Sequence, residues 1–227
     1  MPKFVDAALR RQEVVEAVFR IIAADGLERA SLREVADEAA LAVGSVRHYF
    51  ASSEELLTYA FGAVVDRIVG RLTAADERLG ALRPGTTEHR EAVVALLGEL
   101  LPLDEERAVD ACVWMAFKNA ARTKPFLAPT ADRSHRAVAA VMGRIVLDLS
   151  ADAAEGAGDA GEAGQPGFPR PDQLRLVTEA ERLLATLDGL TMHALLQPDW
   201  MTAQMCRDVL DAHLAGLSGR VPAINLR

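Results

Sequence analysis

Aromatic side chains make up only 5% of these 227 residues, Cys occurs twice, and Lys plus Arg number 25 against 33 Asp plus Glu. So few aromatics beside plentiful Ala and Leu favour packed helices over sheets. Cys112 and Cys206 stand apart in apolar surroundings and form no CxxC, so reduced, buried thiols are expected. No apolar run approaches the roughly 18 residues of a membrane span. The opening MPKFVDAALRRQ has no apolar stretch of the kind that directs secretion. Together these predict a cytoplasmic chain with no membrane partner.

Chemistry-bearing patterns are scarce as well. His48, His89, His135, His193 and His213 show no metal-ligand spacing, and no Cys or acid stands at a motif distance from them. No GxSxG or comparable nucleophile turn occurs. Glu54-Glu55 and Glu105-Glu106 read as helix N-terminal acids that complement the dipole. Gly156, Gly158 and Gly161 spell a literal GxGxxG, but no strand precedes it and no helix follows it, and the surrounding acids would repel a pyrophosphate. No catalytic residue, metal or cofactor is therefore expected. The net charge of −8 also argues against a non-specific nucleic-acid binder.

Half of the residues are hydrophobic, enough for a sizeable core. Leu9, Val14, Val15, Val18, Phe19, Ile21 and Ile22 recur at helical spacing from Val5 to Asp25, and Gly26 supplies the stop. Ser31 with Glu34, three residues on, is a capping box that opens a second helix. The turn Ala40-Leu41-Ala42 leads to a short helix from Val43 to Tyr49. Ser52 with Glu55 repeats the capping box ahead of a long helix through Leu72. Further helices are predicted over Glu88 to Leu101, Asp104 to Arg122 and Pro125 to Leu149, with Pro102 and Pro125 at their boundaries. Residues 151–172, rich in Gly, Ala, acids and Pro, read as a flexible loop. Helices over Gln173 to Leu196 and Trp200 to Leu217 close the chain.

The segment SLREVADEAALAVGSVRHYF, Ser31 to Phe50, has the narrowest explanation. Two short helices about a tight turn can place the second in the major groove of DNA, braced by the first. Leu32, Val35, Ala36, Leu41, Val46 and Phe50 would form the inner contacts. Val43, Ser45, Arg47, His48 and Tyr49 would then point partly outward. Arg47 and Tyr49 suit phosphates, Val43 and Ser45 suit base edges, and the capped starts at Ser31 and Ser52 offer amides to phosphates. Arg33 and Gly44 complete the DNA-facing set. Residues 1–60 carry seven Lys/Arg and ten Asp/Glu, so any grip must come from a locally basic face.

Ser31 to Leu57, continuing through SVRHYFASSEELL, resembles the DNA-binding module of the TetR family of bacterial repressors. The resemblance rests on a capped helix, a turn, Gly44-Ser45-Val46, then Tyr49-Phe50 and a Ser-led helix with Glu-Glu-Leu. The stretch LDGLTMHALLQPDWMTAQMCRDVLDAHLAGL is similar to the C-terminal region of the branch that includes choline-responsive repressors. The resemblance implies an all-α fold, with a three-helix helix-turn-helix domain over 5–52 and a ligand-binding and dimerisation domain over 53–227. It implies a homodimer that binds a palindromic double-stranded operator and is released by a small molecule. The chain departs from the family at several points. Ala40 stands where Gly is usual, which costs about 1 kcal/mol if the backbone there is left-handed. Ala42 replaces the usual capping Ser. Ala51 and Ser53 replace frequent Lys, and Arg47 stands where Tyr is more usual. Weak, strongly salt-dependent DNA binding is expected, and a helical ligand-binding dimer that has lost DNA binding is the alternative.

An effector pocket would draw on Phe61, Cys112, Trp114, Met115, Phe117, Asn119 and Met192, with Arg122 and His193 as anchors for an anionic group. Such a set suits a hydrophobic or amphipathic molecule, and ordinary core packing would use the same residues. Leu183, Leu187, Leu190, Met205, Val209, Leu210 and His213 lie on apolar stripes that fit a two-fold four-helix interface or an intramolecular core.

Overall fold

The computed structural model describes residues 7–154 and 171–217, and every regular element among them is helical. The chain divides into two compact units. The first comprises residues 1–70 and 105–134, the second residues 71–104 and 135–227. The long helix Ser53–Gly80 gives its first part to one unit and its remainder to the other.

In the first unit, α1 (Ala7–Asp25) ends at Gly26, whose φ of 86° is a conformation that Gly adopts freely. A 3-10 turn at Leu27–Arg29 leads into α2 (Leu32–Glu38), α3 (Val43–Tyr49) and α4 (Ser53–Gly80). α1 packs on α2, and α2 on α3. Val14, Val18, Val35, Ala36, Val46 and Phe50 form their common core, each at most 1% exposed. Burying each larger side chain contributes roughly 1.5–3 kcal/mol, which outweighs the weak intrinsic stability of two-turn helices.

The helix Glu105–Ala120 also belongs to this unit and packs on α1. Arg67 of α4 reaches both, donating to the buried Asp110 at 3.0 Å and to Glu16, with its guanidinium over the Phe19 ring. The predicted helix over Asp104 to Arg122 is thus present with slightly tighter ends.

The second unit holds α5 (Thr87–Gly98), most of α7 (Ala128–Ala154), α8 (Pro171–Leu196) and α9 (Ala203–Leu217), the helix Glu105–Ala120 being α6. Thr86 caps α5 by accepting from the His89 amide at 3.1 Å. α9 packs on α8 and α5, and Arg90 fastens it through the carboxylate and carbonyl of Asp211 at 2.9 and 3.0 Å. Leu97, Met142, Leu183, Leu210 and Leu214 are buried in this unit.

Three expectations are corrected. Pro125 begins only a 3-10 turn, Pro125–Leu127, and α7 starts at Ala128. Trp200 sits in a turn rather than a helix, because Thr202 accepts from the Met205 amide at 3.2 Å and sets the start of α9. The loop predicted over 151–172 is helical at both ends, since α7 runs to Ala154 and Pro171 opens α8. Proline suits a first helical turn, where its missing N–H costs nothing. The rest of that segment, including the GxGxxG, lies outside the described residues.

Candidate DNA-binding surface

The turn between α2 and α3 closes with two hydrogen bonds. The Ala40 amide donates to the Asp37 carbonyl at 3.1 Å, and the Leu41 amide donates to the Ala36 carbonyl at 2.8 Å. This is the Schellman arrangement, which needs a left-handed residue just past the helix end. Ala40 supplies it at φ 54°, the one non-Gly residue with positive φ among those described. The departure from Gly is therefore a strained one.

The caps confirm part of what the spacing predicts. Ser31 accepts from the Glu34 amide at 3.2 Å, but the Glu34 carboxylate pairs with Arg29 at 3.4 Å, leaving half a capping box. At α4 both halves are present in shifted form. Ser52 accepts from the Glu55 amide at 3.1 Å, and the Glu55 carboxylate accepts from the Ala51 amide at 2.8 Å. α3 begins at Val43, and Ala42 before it provides no side-chain cap.

α3 faces inward through Val46 and its cap residue Phe50, both buried. Ser31, Arg33, Gly44, Ser45, Arg47, His48 and Ser52 are exposed, while Val43 and Tyr49 are half-buried. The His48 and Tyr49 rings meet edge to face at 5.1 Å. Gly44 is not demanded by packing, since a Cβ there would meet nothing within 4 Å. The first turn of α3 is thus smooth and open to an incoming surface.

Local pairing softens the objection from net charge. Arg20 holds Glu38 at 2.5 Å, Arg29 holds Glu34 and Arg10 holds Glu13 at 2.6 Å. These pairs cancel, whereas Arg33 and Arg47 have no ion pair among the described residues. Arg33 of α2 and Arg47 of α3 therefore remain as exposed cations, with Asp37 and Glu54 as exposed acids close to them in sequence.

Residue spacing gives no hint of Arg11. Its Nη2 donates to the Tyr49 carbonyl at 3.4 Å across 38 positions, and its guanidinium faces the Phe50 and Tyr59 rings.

The effector candidates separate into two groups. Phe61 and Phe117 are fully buried and stacked, with centroids 4.9 Å apart and planes 11° from parallel. Trp114 donates from Nε1 to Ser134 at 3.0 Å, and the Lys118 ammonium sits 4.1 Å over its ring. Cys112, Trp114 and Met115 are half-buried, while Asn119 and Arg122 are exposed and hydrogen-bonded to each other at 3.4 Å. Met192 and His193 are exposed and belong to the second unit. That unit also contains an apolar groove of about 420 Å³ between α7 and α8, walled by Ala139, Leu147, Leu176, Val177, Ala180 and Leu184.

Of the interface candidates, Leu183, Leu187, Leu190 and Leu210 are buried within the chain itself, so they serve its own core. Met205 and Val209 are exposed at 40% and 37%. His213 is half-buried, with Nδ1 at 3.3 Å from the Thr186 hydroxyl. That hydroxyl donates to the Arg182 carbonyl, which leaves its oxygen to accept from an Nδ1–H, and the buried Nε2 has no hydrogen-bond partner among the described residues. Burial and Arg182 lower the His213 pKa below its ordinary 6.5, with Glu179 opposing.

Burial raises both thiol pKa values, with the neighbouring Arg207 pulling Cys206 the other way. Among the described residues no group of three or more His, Cys, Asp or Glu is arranged to hold a metal ion. Nor is any described helix long and apolar enough to cross a membrane.

A braced two-turn helix with an outward polar face defines a helix-turn-helix regulator. Known proteins place it further. Residues 14–60 match the bacterial regulatory proteins of the tetR family, and residues 89–219 match the C-terminal region of BetI-type transcriptional repressors. The HTH-type transcriptional regulator PksA of Bacillus subtilis is 32% identical, over 96% of this chain and 94% of its own. The HTH-type transcriptional regulator BetI of Rhizobium meliloti is 30% identical over 54% of this chain and 57% of its own. A transcriptional regulator from Rhodococcus sp. Rha1 superposes with a TM-score of 0.68 at 29% identity, covering 94% of this chain and 99% of that one. The chain belongs to the TetR family of transcriptional regulators, with a BetI-type C-terminal region.

Proposed function

We propose that the chain is a ligand-released repressor that binds a palindromic operator as a homodimer. The observation that carries this reading is the outward face of α3, with Arg47, His48 and Tyr49 presented over a hydrogen-bonded turn. Arg47 and Tyr49 serve phosphates, Ser45 and Val43 base edges, and Arg33, Gly44 and the residues at Ser31 and Ser52 the flanking backbone. The helix-turn-helix domain is assigned to 5–52 and the effector and dimerisation functions to 53–227. No catalysis is assigned, and the compartment consistent with DNA binding is the cytoplasm.

Dimerisation finds its support in the exposed apolar side chains Met192, Leu196, Trp200, Met205 and Val209 of α8, α9 and the turn between them, which a second copy of α8 and α9 would cover. Trp200, 75% exposed, is a large anchor for such a contact. The effector is assigned as a hydrophobic or amphipathic small molecule. Proteins of this fold have been solved with choline (from Saccharomonospora viridis) and with ethidium (the multidrug binding protein EbrR). The half-buried Cys112, Trp114 and Met115 are the candidates for contact, and the closed Phe61–Phe117 stack is their support. Ligand would move α4, change the separation of the two recognition helices, and lose the match to the helical repeat of DNA.

A mobility shift at low salt against the chain's own upstream region tests the proposal. A retarded complex with a protected palindrome is expected. The second reading, a ligand-binding dimer without DNA binding, is motivated by the strained Ala40 and the uncapped α3. It gains if no complex forms while native mass spectrometry shows a dimer.

A further inference from the structure

We infer that Arg11 is a positioning residue for the recognition helix, holding the C-terminal end of α3 without itself touching DNA. The inference rests on the proposal that α3 reads DNA. Tyr49 is the last residue of α3, so its carbonyl is one that a helix end leaves without an intrahelical partner. Arg11 Nη2 donates to that oxygen at 3.4 Å. The guanidinium carbon also lies 5.7 Å from the ring centres of both Phe50 and Tyr59, and those rings meet at 5.4 Å. One cation from α1 therefore ties together the end of α3, its cap residue and the start of α4.

The rest of α3 explains why this tie matters. The helix has only seven residues, and Ala42 gives its start no side-chain cap. The turn before it is held in a left-handed conformation by an alanine. A helix so short has little stability of its own. Its inner anchors are Val46 and Phe50, both near the middle or the end. A cation at the C-terminal carbonyls is favourable to the helix dipole and satisfies an acceptor. Arg suits this post better than Lys, because its planar group donates in plane while its faces meet aromatic rings.

A direct phosphate contact by Arg11 is the competing role, and salt dependence separates the two. Each phosphate neutralised contributes about 0.9 to the slope of log K against log salt. A positioning residue leaves that slope alone while lowering the affinity. Arg11→Met and Arg11→Lys are compared with the unchanged full chain, using duplex DNA from its own upstream region at several salt concentrations. Hydrogen exchange of residues 43–50 is measured in parallel without DNA.

Arg11→Met is expected to weaken binding by about three- to tenfold, in the range of a charged hydrogen bond at a helix end. The salt slope should stay within error, exchange at 43–50 should accelerate while α6 keeps its protection, and Arg11→Lys should recover part of both. A slope smaller by about 0.9 makes Arg11 a phosphate ligand and overturns the inference. Unchanged exchange at 43–50 overturns it as well, whether or not DNA binds. If the unchanged chain binds no DNA, the proposed function fails, and the exchange result still decides whether Arg11 holds α3.

Discussion

Replacing Ala40 by Gly should make the protein more stable, against the usual direction of Ala-to-Gly changes. Ala40 occupies φ 54° in the Schellman turn that joins α2 to α3. A left-handed L-residue costs about 1–2 kcal/mol. Glycine removes that strain but adds unfolded-chain freedom worth about 0.5–1 kcal/mol. Ala40 is exposed, so losing its methyl sacrifices little packing. The difference leaves a net gain of about 0.5–1 kcal/mol, or a rise in Tm of roughly 1–4 °C for a chain of this size. Urea unfolding followed by circular dichroism should show a higher midpoint at unchanged m-value. Ala39→Gly is the matched control, since Ala39 has φ −80° and lies in the right-handed region. That change should destabilise by about 0.5–1 kcal/mol. If Ala40→Gly destabilises as much as Ala39→Gly, the strain argument is refuted.

Other outcomes follow from the same geometry. Gly44→Ala should raise stability by up to about 1 kcal/mol through helix propensity, yet weaken DNA binding if the open first turn of α3 approaches DNA closely. Equal affinity in a mobility shift would remove that role from Gly44. Arg67→Met removes one charged partner of the buried Asp110 and should cost about 1–3 kcal/mol in urea unfolding. The double change with Asp110→Asn should recover much of it, and additive losses would contradict a linked pair. His213 has a folded pKa below the unfolded value, so protons favour the unfolded chain. Its stabilising contribution is present above the ordinary pKa of 6.5 and is lost as pH falls below it. His213→Gln should flatten that part of a stability–pH profile, and an unaltered profile would exclude His213 as its source.

Features governed by local chain chemistry are legible in the sequence, and those governed by distant neighbours are not. The span of α3, Val43 to Tyr49, emerges from the turn before it and the Ser52 cap after it. The missing cap at Ala42 and the strain at Ala40 become legible only through the family resemblance, which implies Ser and Gly at those positions. Glu34 shows the limit, because its spacing from Ser31 predicts a full capping box and a competing Arg29 takes its carboxylate. Arg11 and Tyr49 lie 38 positions apart, and Arg67 meets Asp110 across 43, so no short-range pattern could pair them. The stripes on α8 and α9 fit a core and a dimer equally well as sequence. Burial assigns Leu183, Leu187, Leu190 and Leu210 to the core and leaves Met205 and Val209 facing outward. Phe61 and Phe117 look like pocket aromatics in sequence, but the stack they form is closed.

The central claim is that the outward face of α3 reads DNA, and salt-resolved binding of Arg47→Ala and Tyr49→Ala to the upstream duplex tests it most directly. Both variants should keep their helicity and bind more weakly, and Arg47→Ala should lose about 0.9 from the salt slope, as removal of one phosphate contact requires. Full affinity and an unchanged slope in both variants would contradict the assignment of this face.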